Sequence, residues 1–117
     1  MAKGKERDFR RERYPGMIAA IATHRGLPPV PEDWHDVDAV LPLLEQMRRD
    51  EAVVMFKLDG QRARQMYTAL VSGGPLGPGE FFRTDAESLE DALAYIIIQY
   101  AQSVWHFAAP ESEGSEV

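Results

Sequence analysis

The chain has 117 residues and no cysteine, and thirteen Lys and Arg stand against nineteen Asp and Glu for a net charge of −6. That length suits one ordinary domain needing no covalent staple, and the missing thiols exclude a disulfide framework, a thiolate metal site and a Cys nucleophile. The first residues are charged and no apolar run reaches the length of a signal peptide or a membrane span, so a cytoplasmic protein with no membrane partner is expected.

The charge is unevenly spread. From Met1 to Tyr14 six basic residues face three acidic ones, and from Pro15 onward seven face sixteen. Residues 1–14 therefore read as a flexible basic arm, 15–109 as a single α+β domain, and 110–117, rich in Glu, Ser and Gly, as a disordered acidic tail. An acidic body repels a phosphate backbone, so nucleic-acid binding is disfavoured for the domain and could come only through the arm.

A first helix is expected between Pro15 and Gly26, with Met17, Ile18 and Ile21 on one face and Gly26 in the left-handed position past its end. The segment Leu27-Pro-Pro-Val-Pro31 cannot be helical, because its prolines fix φ and remove amide donors. A second helix runs from about Ala39 to Asp50, where Val40, Leu43, Leu44 and Met47 recur at helical spacing. Pro42 is compatible with it only near the first turn, and Arg48 and Arg49 complement the carbonyls of the last.

Ala52–Leu58 reads as a strand, Asp59-Gly60 as a turn signal, and Met66–Ser72 as the antiparallel partner. Four glycines and two prolines between Gly73 and Gly79 make a loop leading to a short strand at Glu80–Arg83. Thr84-Asp-Ala-Glu87 has the form of a capping box, which would start a long final helix there. Along that helix Leu89, Leu93, Ile96, Ile97, Tyr100 and Val104 form a continuous apolar stripe.

The predicted order is thus α-α-β-β-β-α, a three-stranded antiparallel meander with two N-terminal helices and a long C-terminal helix packed on the sheet. At the level of topology this resembles the double-stranded RNA-binding domains. Those modules carry a Lys-rich start to the last helix, whereas Asp85, Glu87, Glu90 and Asp91 stand here, so RNA binding is not carried over.

The densest polar cluster is Glu32, Asp33, His35, Asp36 and Asp38 around Trp34. Carboxylates with an imidazole suit a hard divalent cation or proton transfer, but the same residues also make an acidic helix start. His24 and His106 have no local partner, and the Gly73–Gly79 run lacks the phosphate-loop pattern. No cofactor is indicated. Arg25-Gly-Leu-Pro-Pro-Val-Pro31 is similar to the basic, proline-spaced ligands of SH3 domains, and a stiff connector accounts for the same prolines.

The feature that points furthest is an apolar excess on the last helix. Tyr95, Ile98, Trp105 and Phe107 lie off the main stripe, beside the acidic Glu87, Glu90 and Asp91. Aromatic anchors next to an acidic surface suit a non-enzymatic interaction module, an inhibitor engaging a protein partner with a basic surface. Phage anti-defence and toxin-immunity proteins share this size and charge. Two alternatives remain: a metal-dependent hydrolase using the Glu32–Asp38 cluster, and a homodimeric structural or regulatory subunit whose long helices pair through the apolar excess.

Overall fold

A computed structural model describes residues 16–108, so the basic arm and the acidic tail lie outside the described residues. Among the described residues three helices and one antiparallel sheet follow in the order α1 (Met17–His24), α2 (Val37–Arg49), β1 (Val53–Leu58), β2 (Tyr67–Ser72), β3 (Phe81–Ala86) and α3 (Leu89–Ser103), with a 3-10 turn at Gly74–Leu76. This is the expected α-α-β-β-β-α arrangement. The sheet order is β1-β2-β3, with Val54 opposite Val71 and Val71 opposite Phe82.

Because side chains alternate across a strand, that register sorts the sheet into two faces. Val54, Tyr67, Ala69, Val71, Phe82 and Ala86 turn toward the helices and join the core. α3 lies across β2 and β3, α2 packs against β1, and α1 packs against α3. Sandwiched in this way, α3 is buried around most of its circumference, including Ala92, Leu93, Ala94, Ile96, Ile97, Ile98, Tyr100 and Ala101. The apolar excess read from its sequence is therefore covered by α1 and α2 of the same chain. Val30 and Trp34 plug the core from the proline-rich connector, which explains an aromatic among so many carboxylates.

Two expected boundaries move. β3 continues through Ala86 because Tyr67 and Thr68 of β2 pair with Ala86 and Asp85. Thr84 is thereby buried inside a strand and cannot cap a helix. The cap is Ser88, whose Oγ accepts the amide of Asp91 at 3.1 Å. α2 begins at Val37, so Pro42 falls in its second turn. The carbonyl deprived of its donor belongs to Asp38, an exposed residue that water can reach.

Each described helix ends in a backbone bond that folds the chain back on it. The amides of Leu27 and Ala52 bond to the carbonyls of Ala22 and Met47, closing the six-residue ring of a Schellman motif, and at the end of α3 the Phe107 amide closes a ring one residue wider on the Ala101 carbonyl. The residue before each amide has positive φ: Gly26 at 69°, Glu51 at 74° and His106 at 57°. The ring at His106 is exposed, so its side chain adds little packing to offset the cost of a left-handed backbone. His106→Gly should accordingly stabilise the fold by about 0.5–1 kcal/mol, read as a higher thermal midpoint, and a lower midpoint would show that the imidazole contributes a contact of its own.

Candidate functional site

The residues expected to form a docking face on α3 are placed elsewhere. Ile98 is fully buried, Trp105 and Phe107 are buried, and Tyr95 is half-buried against the core. The left-handed turn at His106 folds Trp105 and Phe107 back under α1 and the end of α2. There the indole Nε1 and the Tyr100 hydroxyl both donate to Oδ2 of Asp50, each at 2.9 Å. The rings of Tyr100 and Trp105 meet edge to face at 5.1 Å. Burial, the hydrogen bond to Asp50 and its negative charge push the Tyr100 phenol well above the ordinary tyrosine range, with Arg25 opposing.

The Arg25 guanidinium stacks 4.6 Å over the Trp105 ring while its Nε donates to Gln46 at 2.9 Å. It is thus held by its own chain, and the connector Leu27–Pro31 follows it between α1 and α2. His24 Nε2 lies 3.3 Å from the Trp105 carbonyl, and its ring meets Phe107 edge to face at 5.7 Å. This aromatic and polar knot is a structural latch closing the three helices on one another.

The carboxylates assigned beside the rings also have local roles. Glu87 accepts the Gln65 amide at 3.1 Å and lies 3.8 Å from Arg64. Glu90 and Asp91 occupy the first turn of α3, where negative charge complements the helix dipole. Rings and carboxylates do not form one surface. In the other acidic cluster Asp36 takes the N-cap position of α2, His35 lies 3.8 Å from it, and both side chains are largely in solvent. Among the described residues, no group of three His, Asp or Glu is arranged to hold a metal ion, so Glu32, Asp33, His35, Asp36 and Asp38 do not converge.

The exposed large apolar side chains lie instead on the sheet: Val53, Met55, Phe56, Leu58 and Phe81, with Leu41 of α2 standing apart. On the face turned away from the helices, register aligns three rows across the strands: Val53, Ser72 and Phe81; Met55, Leu70 and Arg83; Lys57, Thr68 and Asp85. The last row is polar, with Thr68 buried and Asp85 half-buried. Thr68 donates to Asp85 at 2.6 Å, and Arg62, from the loop between β1 and β2, reaches across to Asp85 at 3.5 Å and to the Gln65 carbonyl at 3.0 Å.

Partial burial raises the Asp85 carboxyl, but the Thr68 hydrogen bond and the charges of Arg83 and Arg62 outweigh it, so Asp85 titrates below the ordinary carboxylate range. Asp59 is likewise lowered, first by the Gln61 amide and then, against slight desolvation, by Lys57 and Arg62. The cations of this face are therefore already matched: Arg83 with Asp85 at 3.3 Å and Lys57 with Asp59 at 3.6 Å.

The first row is open, and so is the β1 end of the second. Val53 is 52% exposed, Met55 58% and Phe81 57%, and the exposed Glu51 and Glu80 stand just before β1 and β3 at the same end of the sheet. A shallow depression between Ser72–Gly74 and Gly77–Phe81 adjoins Phe81. Sequence reasoning missed this surface, although a signal was there. A sheet with one open face should alternate apolar and polar residues, and Val-Val-Met-Phe-Lys-Leu of β1 is apolar at both parities.

No helix among the described residues is long and apolar enough to cross a membrane. Compared with protein-family models, curated proteins and solved structures, the chain gives no match.

Proposed function

We propose that this protein is a non-catalytic interaction module that docks a protein partner on the open end of its sheet and thereby inhibits or occupies that partner. The observation that carries the reading is the gathering of Val53, Met55 and Phe81 at one end of a face whose other end is polar. Apolar side chains left in water on a small domain mark contact sites when they are contiguous, and a handful of such anchors supplies most of an interface's free energy.

The rim selects the partner's charge. Residues 16–108 hold seven basic and thirteen acidic side chains, and Glu51 and Glu80 flank the patch while its neighbouring cations are internally paired. A partner that sets basic residues around an apolar centre fits this arrangement, with long-range attraction steering the encounter.

The test is affinity capture from the cells of origin with wild type, with Met55→Glu/Phe81→Glu, and with Glu51→Lys/Glu80→Lys. Partner recovery should fall roughly tenfold or more with the first double variant. The second should weaken capture and flatten its dependence on salt. If both well-folded variants recover the same proteins as wild type, the docking face lies elsewhere.

A further inference from the structure

We propose that two copies of this chain join through β1, edge to edge and antiparallel about Phe56, to make one continuous six-stranded sheet. This deepens the reading above by naming a second copy as the partner of the strand that borders the docking face.

Among the described residues β1 is an edge strand, paired with β2 alone. The Asp59 amide bonds to the Met66 carbonyl at 2.8 Å, in the register that pairs Leu58 with Tyr67. Backbone groups alternate in an antiparallel ladder, so Asp59, Lys57, Met55 and Val53 point toward β2, while Val54, Phe56 and Leu58 point outward. The outward row is unguarded: no proline or bulge interrupts it, Phe56 is 41% exposed and Leu58 63%. Such an edge is a template for another strand.

A two-fold axis normal to the sheet requires facing residues to share a face, which limits the self-pairing to a few registers. Centring on Phe56 sets Phe56 against itself and Val54 against Leu58, so all three outward residues of each copy find outward partners. Centring on Met55 would instead set Leu58 against Ala52, whose amide already bonds to the Met47 carbonyl at 3.1 Å. Centring on Lys57 would place two ammonium groups side by side. In the Phe56 register Lys57 faces Met55, and the exposed Phe56 and Leu58 cover one another on the helix side.

Two such edges would bury on the order of 1,000 Å² in total, near the lower bound for a specific interface, so association should depend on concentration. The net charge of −6 per chain opposes it, and added salt should strengthen it. The two open patches of Val53, Met55 and Phe81 would then lie on the same side of one sheet.

Light scattering from micromolar to millimolar concentration should show the mass rise from 13.2 kDa toward twice that value. Phe56→Pro removes an outward donor that the β1–β2 ladder does not use, so the variant should keep its circular dichroism and stay at the mass of a single chain. Cysteine placement fixes the register even if that variant fails to fold. Phe56→Cys should oxidise to a disulfide dimer, since facing residues lie about 5.5 Å apart between Cα atoms. Val54→Cys mixed with Leu58→Cys should cross-link as a heterodimer, whereas neither should do so alone.

A single-chain mass at every concentration overturns the proposal, as does a dimer that cross-links at other positions and not at Phe56. A monomer whose partner capture still depends on Met55 and Phe81 would overturn this inference and leave the docking face standing. A Phe56-centred dimer whose capture ignores Met55 and Phe81 would do the reverse.

Discussion

Replacing Asp50 with alanine should lower the midpoint of thermal unfolding by roughly 10–20 °C, the loss expected when a domain of this size is destabilised by about 2–4 kcal/mol. One oxygen of that carboxylate accepts both the Tyr100 hydroxyl and the Trp105 indole N–H. Tyr100 is fully buried and Trp105 nearly so, and removing the acceptor leaves two donors without a partner in an apolar setting. The effect extends beyond the two bonds. Trp105 holds Arg25 and the carbonyl that faces His24, so loosening it weakens the attachment of α1.

Asp50→Asn separates hydrogen bonding from charge. Its amide oxygen can still accept both protons, so it should cost about 1 kcal/mol, and Tyr100→Phe, which removes one donor with its bond, should cost a similar amount. Thermal and urea denaturation of the three variants would check the order. An alanine variant that melts within about 3 °C of wild type would mean that water already serves both donors.

The parts of this fold legible in the sequence are those dictated by local chemistry. Gly26 announces the end of α1, because a left-handed residue is cheapest as glycine. Met17, Ile18 and Ile21 announce a buried helix face by their spacing, and the turn at Asp59-Gly60 announces a hairpin. Glu51 and His106 perform the same backbone task as Gly26 and carry no such mark. Their conformation is imposed from outside, by Ala52 entering the sheet and by Phe107 returning to the core. Thr84 misled for a related reason. Its capping pattern is real at the level of four residues, but pairing along the whole of β2 outweighs one cap.

The candidate site was less legible, because exposure belongs to the assembled fold. The excess of Ile98, Trp105 and Phe107 could be read from the helix, but whether α1 and α2 would reach it could not. Apolar residues on both parities of β1 carried the opposite message. A central strand would have buried them all, and only the meander order, which puts β1 at an edge, leaves Met55, Phe56 and Leu58 in water.

Gly74→Ala tests the joint between the latch and the sheet, and it should destabilise the protein by roughly 2–4 kcal/mol. The glycine-rich loop looks from its composition like free chain, yet Gly74 is pressed against the turn that leads from α2 into β1. A β-carbon there would stand 2.8 Å from the Ala52 nitrogen, 2.9 Å from the Glu51 carbonyl carbon and 3.0 Å from the Asp50 oxygen. All three are backbone atoms, so no side chain can rotate away. A φ of 55° adds the strain of a left-handed alanine.

Relief requires the loop to lift or the turn to shift, and that turn holds the Schellman amide of Ala52 and the carboxylate of Asp50. The loss should therefore exceed that of Gly26→Ala, where φ is also positive at 69° and no atom lies within 4 Å of the added carbon. Urea titration of the two variants side by side isolates the contact from the backbone term. Equal losses would show that the clash is relieved without cost, and that the loop is not what fixes the start of β1.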